Sequence, residues 1–221
     1  VKPIRTFLPL ILLLGSVPLL QAQGSFDVAI GFGSVHDKAT GLGIENASSL
    51  NAFGSCTPSS ADPTCEATPG LGGLLMGFEG DGMLNKHIGI GGELSFQPTK
   101  GNYGPLQYRQ IFYTFNGIYA PINNKRLQLR LEGGIGGTRS GFSYTETSCV
   151  GTAVCTTQAA PVGNSSHFQV HLGAGVQFYV KPHIFLRPQF DFREVPGLTN
   201  QFGRDQVIGG TIWVGYNFGE M

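Results

Sequence analysis

HFQVHLGAGVQFYVKPHIFLRPQFDFREV, His167 to Val195, sets Phe168, Val170, Leu172, Ala174, Val176, Phe178 and Val180 on one parity and Gln169, His171, Gly173, Gly175, Gln177 and Tyr179 on the other. A period of two is that of a β-strand with unlike faces. Lys181 to His183 interrupts the run and the alternation then resumes. Ile184, Leu186, Pro188, Phe190 and Phe192 share one face, while Arg187, Gln189, Asp191 and Arg193 share the other with Phe185. A soluble antiparallel sheet alternates in the same way, with its polar face toward water. The fold therefore turns on which of these two faces is inside.

Working outward from this hairpin, eight alternating stretches are expected: Phe26–Ser34, Leu71–Gly80, Ile88–Gln97, Tyr108–Ala120, Leu127–Thr138, Phe168–Val180, Ile184–Val195 and Gln206–Phe218. No sustained helical period appears after the N-terminal segment. Three joins are short and rich in turn formers, DGMLNKH (Asp81 to His87), PINNKR (Pro121 to Arg126) and KPH (Lys181 to His183). The other four, Val35 to Gly70, Pro98 to Gln107, Arg139 to His167 and Pro196 to Asp205, are longer and are expected to be loops. In an up-and-down meander this order puts every short turn at one end and every long loop at the other. An even strand number with that asymmetry is the layout of a transmembrane barrel.

Pooled over the strands, one parity is almost free of charge. The other collects Asp27, Glu79, Glu93, Arg130, Glu132, His171, Arg187, Asp191 and Arg193, interleaved with glycines such as Gly91, Gly134, Gly173, Gly175 and Gly209. The lumen of an eight-stranded barrel is just wide enough to be filled by side chains, and charges buried there must pair. These nine residues are read as an interior ion-pair network, with the apolar parity facing lipid. A soluble lipocalin-like barrel would reverse the faces and needs a well-charged exterior. This chain, with 34 glycines in 221 residues and only 13% charged residues against a usual value near 25%, supplies a poor one. Aromatic residues near strand ends, Phe112, Tyr113, Tyr119, Phe178, Tyr179, Tyr216 and Phe218, are expected to form interfacial girdles.

At the N-terminus, Lys2 and Arg5 precede an apolar run, Phe7 to Leu20, followed by QAQG. The run is shorter than the roughly 20 residues a spanning helix needs and fits a secretory signal over residues 1–22, leaving one domain over 23–221. The formal charge of zero and the absence of a Lys/Arg cluster argue against nucleic-acid binding.

The last strand, TIWVGYNF, alternates Ile212, Val214, Tyr216 and Phe218 toward the end of the chain. In this and in its strand plan the chain resembles the small eight-stranded outer-membrane barrels of the OmpA/OmpX type. The resemblance implies an all-β, antiparallel up-and-down barrel in the bacterial outer membrane, with the final strand read by the barrel-assembly machinery and the outer face in contact with membrane lipid. The family commonly stops at its final aromatic, whereas Gly219, Glu220 and Met221 follow here. The peptidoglycan-binding module of some relatives is not expected.

Four cysteines form two local pairs, Cys56 with Cys65 and Cys149 with Cys155. Three pairings are arithmetically open; the close spacing and an exported destination favour the two local disulfides, and zinc would want CxxC spacing or nearby histidines. His36 and Asp37, in VHD, lack an identifiable serine partner for hydrolysis. The glycine-rich segments match no phosphate-loop pattern, and the NAS and NSS sequons at Asn46 and Asn164 are chance matches in a bacterial envelope protein. The reading is a non-enzymatic, cofactor-free barrel that supports the envelope or contacts an unidentified external ligand through disulfide-tied loops. A porin-like narrow pore is opposed by a lumen plugged with charge pairs. The alternatives are a lipid A-modifying enzyme and the soluble ligand-binding barrel.

Overall fold

The structure, a computed structural model, describes residues 24–45, 56–59, 64–150 and 154–219, of which 146–150 and 154–158 are described by backbone alone. Eight long strands form one closed antiparallel ring: β1 (Phe26–His36), β2 (Leu74–Met83), β3 (Ile88–Phe96), β4 (Leu106–Asn123), β5 (Leu127–Val150), β6 (Val154–Lys181), β7 (Ile184–Glu194) and β8 (Gln206–Phe218). Each strand pairs with its neighbours in sequence. The seam is β1 against β8, in unbroken register from Phe26 opposite Phe218 to His36 opposite Ile208.

The short turns sit where turn chemistry supplies hydrogen bonds. Asn85 Oδ1 accepts the backbone N–H groups of His87 (2.8 Å) and Ile88 (2.9 Å), and the Asn124 N–H donates to the Leu127 carbonyl at 2.8 Å. Both ends of the barrel wall, Phe26 and Phe218, lie at this short-turn end.

The faces divide as the alternation requires. Phe168, Leu172 and Phe190 point outward and are 55%, 55% and 54% exposed, while His171 and Asp191 point inward and are fully buried. An exposed aliphatic band of this size is unfavourable in water and favourable against acyl chains. Among the described residues three apolar clusters pack the interior: Met83, Ile118 and Ala120 at the short-turn end, Ala29, Phe185 and Trp213 with Tyr179 above them, and a larger group at the loop end.

Four expectations are corrected. The second strand begins at Leu74, not Leu71, because Gly73 adopts the left-handed conformation (φ 118°) and Leu71 turns into the loop-end core. The same strand runs on to Met83, which brings Asp81 into the wall and not into a turn. The segment Arg139 to His167 is not a loop: β5 and β6 stay paired up to Val150 opposite Val154, forming a ribbon that continues beyond the barrel. Its inner parity starts with the buried polar residues Thr138 and Ser140 before Phe142 turns into the loop-end core, so no run of apolar alternation marked it in the Ser- and Thr-rich sequence. Phe112 and Tyr179 share the inward parity of their strands and join the interior packing, not a girdle.

Candidate functional site

Two interior layers define what the barrel can do. In the lower one, Arg130 on β5 gathers carboxylates from three strands. Its Nη2 donates to Glu79 Oε1 at 2.8 Å and also meets Asp81, its Nε donates to Glu132, and its Nη1 lies 3.9 Å from Asp27 Oδ2. Arg187 on β7 donates to the second oxygen of Glu79 and stacks over Trp213, 5.6 Å from the ring centre. Asp27 accepts from Asn217 Nδ2 (2.5 Å) across the seam and from Gln177 Nε2 (3.4 Å). Higher in the lumen, Arg193 Nη2 donates to Glu93 Oε1 at 2.8 Å, and Asp191 accepts from Gln189 Nε2 (2.8 Å) and Thr211 Oγ1 (3.2 Å). Asn116 bridges the layers, with its Nδ2 on Glu132 Oε2 (3.2 Å) and its Oδ1 facing His171 Nδ1 (3.1 Å).

All nine charged residues singled out in the sequence are buried in the lumen and linked in this way. The periodicity missed Asp81, which its own parity with Glu79 could have revealed, and the uncharged links Asn116, Gln177, Gln189, Thr211 and Asn217. Glycine is required opposite Asp81: a Cβ at Gly91 would stand 1.7 Å from Asp81 Oδ1. Such buried pairs gain little net stability because of desolvation, yet removing one partner is costly.

Donor atoms of Glu93, His171 and Asp191 lie within 4.8 Å of one another, a spacing open to a metal ion. The hydrogen bonds argue otherwise. The Asn116 amide nitrogen is committed to Glu132, so its oxygen takes the proton of His171 Nδ1, while His171 Nε2 faces the Asp191 carboxylate at 3.0 Å. Both ring nitrogens are thus taken up by partners within the lumen network.

Above the charges, the loops fold inward and close the mouth. Leu198 and Phe202, on the β7–β8 connection, pack with Tyr103, Tyr108, Phe142, Leu71 and Ile44. Tyr103 sits edge-on to Phe142 (5.1 Å between ring centres) and Phe202 (5.5 Å) and donates its hydroxyl proton to the Gln201 carbonyl, while Tyr108 donates to the Gly72 carbonyl at 2.8 Å. Burial pushes the Tyr103 hydroxyl above its ordinary range. Asp37 fastens the first loop to the last, accepting the N–H groups of Lys38 (2.7 Å) and Arg204 (3.1 Å); burial raises its carboxyl above the usual carboxylate value. Asp37 is thus a loop clamp, and its neighbour His36 is exposed on the outer face, so the VHD segment builds no hydrolytic centre. At the opposite end lies a polar vestibule of about 380 Å³, bordered by Lys86, Lys125, Asn85, Asn123, Asn124 and Asn217.

Cys56 and Cys65 form a disulfide within the first loop, beside the short pairing of Gly43–Ile44 with Glu66–Ala67. Cys149 and Cys155 are opposed in the backbone register of the ribbon, and their side chains lie outside the described ones. Closing a ring of this size stabilises the loop by roughly 2–3 kcal/mol. Reduction is therefore expected to speed proteolysis of the first loop while leaving the mobility difference between boiled and unboiled samples unchanged. Loss of that difference would mean that the bridge supports the wall itself. Ile212, Val214, Tyr216 and Phe218 all point outward on β8, and residues 220–221 lie outside the described ones.

A closed eight-stranded antiparallel wall, aliphatic outside and charged within, with short turns at one end and long loops at the other, is a transmembrane β-barrel of the bacterial outer membrane. The chain belongs to the family of the outer membrane protein beta-barrel domain, whose model matches residues 7–218. It matches none of the curated protein sequences. Among solved structures it is similar to Ail, the attachment invasion locus protein of Yersinia pestis, with 15% identity and a TM-score of 0.50 over 89% of this chain and 99% of that one. Ail in complex with the heparin analogue sucrose octasulfate gives 14% identity and a TM-score of 0.51 over the same shares. Neisserial surface protein A gives 10% identity and a TM-score of 0.52, over 88% of this chain and 98% of that one. At these identities the likeness is one of fold.

Proposed function

We propose that this barrel is a non-enzymatic, non-conducting surface protein, a rigid lumen-filled stem whose work is done by its loop end and ribbon. The observation that carries the reading is the double closure of the lumen: the Arg130, Arg187 and Arg193 network fills its middle, and the Tyr103, Leu198 and Phe202 packing covers its mouth. An ion path would have to break both. Its outward aliphatic face meets lipid chains, and its final strand is the segment the assembly machinery reads. Loops on a rigid scaffold are the usual seat of binding, and an attachment invasion locus protein has the same kind of fold.

The barrel reconstituted in planar bilayers is expected to give no discrete conductance steps, and none is expected to appear when the first-loop disulfide is reduced. Sustained channel openings, or acyl release from lipopolysaccharide by the purified protein, would overturn the reading. External contact is tested by display. Cells carrying the barrel are expected to bind an immobilised surface, a sulfated glycan being the first to try, better than cells carrying a form whose ribbon is shortened beyond Ser143. Equal binding on every surface tried would leave the barrel as an envelope support only.

A further inference from the structure

On the outer surface, where charge is scarce, three cations gather at one place. Arg109 on β4 and Arg139 on β5 are exposed on the outward parity of adjacent strands, in a register that sets Arg109 opposite Gly141 and Arg139 opposite Ile111. Lys100, in the β3–β4 connection, reaches the same patch, its Nζ donating to Ser143 Oγ at 2.8 Å. From the other side β6 brings Asn164 opposite Gly141 and Ser166 opposite Arg139. Gly141 is the floor of this arrangement. A Cβ there would meet only Asn164 Oδ1 at 3.2 Å and the Arg109 carbonyl at 4.0 Å, so the Asn164 amide is the one side chain that reaches within 4 Å of that position.

Among the described residues the ion pairs all lie in the lumen, and Lys100, Arg109 and Arg139 have no carboxylate partner. Arg109 makes one long bond to the Pro98 carbonyl, at 3.3 Å. Immediately toward the short-turn end, the same outward face is apolar again, with Tyr113, Ile135 and Phe168 exposed. The cradle therefore stands at the rim of the lipid-facing band, on the side of the barrel and not over its mouth. Guanidinium groups are planar forks that match a phosphate in bidentate fashion, and an ammonium adds a point charge. At that height, at the loop end of an outer-membrane barrel, the anions within reach are the phosphates of the outer-leaflet glycolipid.

We propose that Arg109, Arg139 and Lys100, arranged around Gly141 with Ser143 and Asn164, form a binding site for a phosphate group of an outer-leaflet glycolipid. The site rests on the loop end facing outward and is independent of whether the loops contact an external surface. Charge-assisted bonds of this kind are each worth roughly tenfold in affinity.

The test uses the refolded mature barrel, lipopolysaccharide, and the same glycolipid after enzymatic dephosphorylation, each mixed into phosphatidylcholine. Binding is read as the amount retained per barrel after detergent washing. Wild type is expected to retain lipopolysaccharide at least tenfold better than Arg109→Gln/Arg139→Gln, and the dephosphorylated glycolipid is expected to be retained by both as weakly as lipopolysaccharide is by the variant. Gly141→Val, which fills the floor without changing charge, should lose retention in the same way, and unboiled mobility on gels verifies that each variant is folded. Equal retention by wild type and the folded variants overturns the proposal, as does equal retention of the dephosphorylated glycolipid. Displacement by soluble polyphosphate in the absence of any preference for the glycolipid would overturn its assignment to lipid.

Discussion

Replacing Arg130 with leucine is expected to lower the unfolding free energy of the barrel by about 3–5 kcal/mol, the usual penalty for stripping one partner from a buried ionic cluster. This guanidinium answers Asp27, Glu79, Asp81 and Glu132, which come from β1, β2 and β5. Without it four carboxylates share the single remaining cation of their layer, Arg187, which pairs with two of them, Glu79 and Asp81. Glu132→Gln keeps an oxygen for Arg130 and is expected to cost only about 1 kcal/mol. Urea titration of the refolded protein, followed by the fluorescence of the only tryptophan, Trp213, measures both. Losses of equal, small size would mean that the lumen is wet enough to screen these charges. Adding Glu79→Gln and Asp81→Asn to the leucine variant should restore part of the loss, because the penalty lies in the orphaned charges and not in the missing arginine stem.

The second large effect is steric. Trp213 lies across the lumen between two glycines: a Cβ at Gly31 would stand 2.6 Å from Trp213 Cε3, and one at Gly77 2.6 Å from Cη2. Trp213→Ala is expected to cost about 3–5 kcal/mol through the cavity it leaves, and Gly31→Ala about 1–3 kcal/mol through overpacking. Because the two share one space, the double variant should lose clearly less than the sum of the single losses. Circular dichroism during urea unfolding serves here, since the fluorophore is gone. Strict additivity would mean that the ring and Gly31 do not press on one another.

Strand order, face assignment and the charged lumen were legible because the wall separates two environments, and each strand crosses both in a period of two. Arg187, Asp191 and Arg193 reveal their direction by sharing a parity that Leu186, Phe190 and Phe192 avoid. What escaped was whatever that contrast does not govern. Beyond Arg139 the strands no longer divide lipid from a charged lumen, since Ser140 is buried though polar and Phe142 packs into the mouth, so Ser143, Tyr144 and Thr145 follow no such alternation although they are paired. The mouth is closed by apolar residues from separate connections, Ile44, Tyr103, Leu198 and Phe202, and a pattern within one strand does not report contacts between loops. Trp213 was visible on the inner parity, but the glycines that make room for it lie on β1 and β2, far away in sequence. The rim cations were individually plain, and only the pairing of β4, β5 and β6 brings them around Gly141.

The seam bears on how the barrel is built in time. Seven of the pairings join strands that follow one another along the chain, whereas the β1–β8 pairing joins positions as far apart as Asp27 and Asn217, 190 residues. Closing so long a loop costs roughly 2–3 kcal/mol more entropy than closing a ten-residue hairpin, so the meander assembles first and the ring shuts last. Until then β1 and β8 are bare edges, each with one aliphatic side, and a bare edge pairs with whatever strand it meets. The final step of assembly is a race between β8 finding its own β1 and finding that of another molecule, and the second gains as unclosed chains lie closer together.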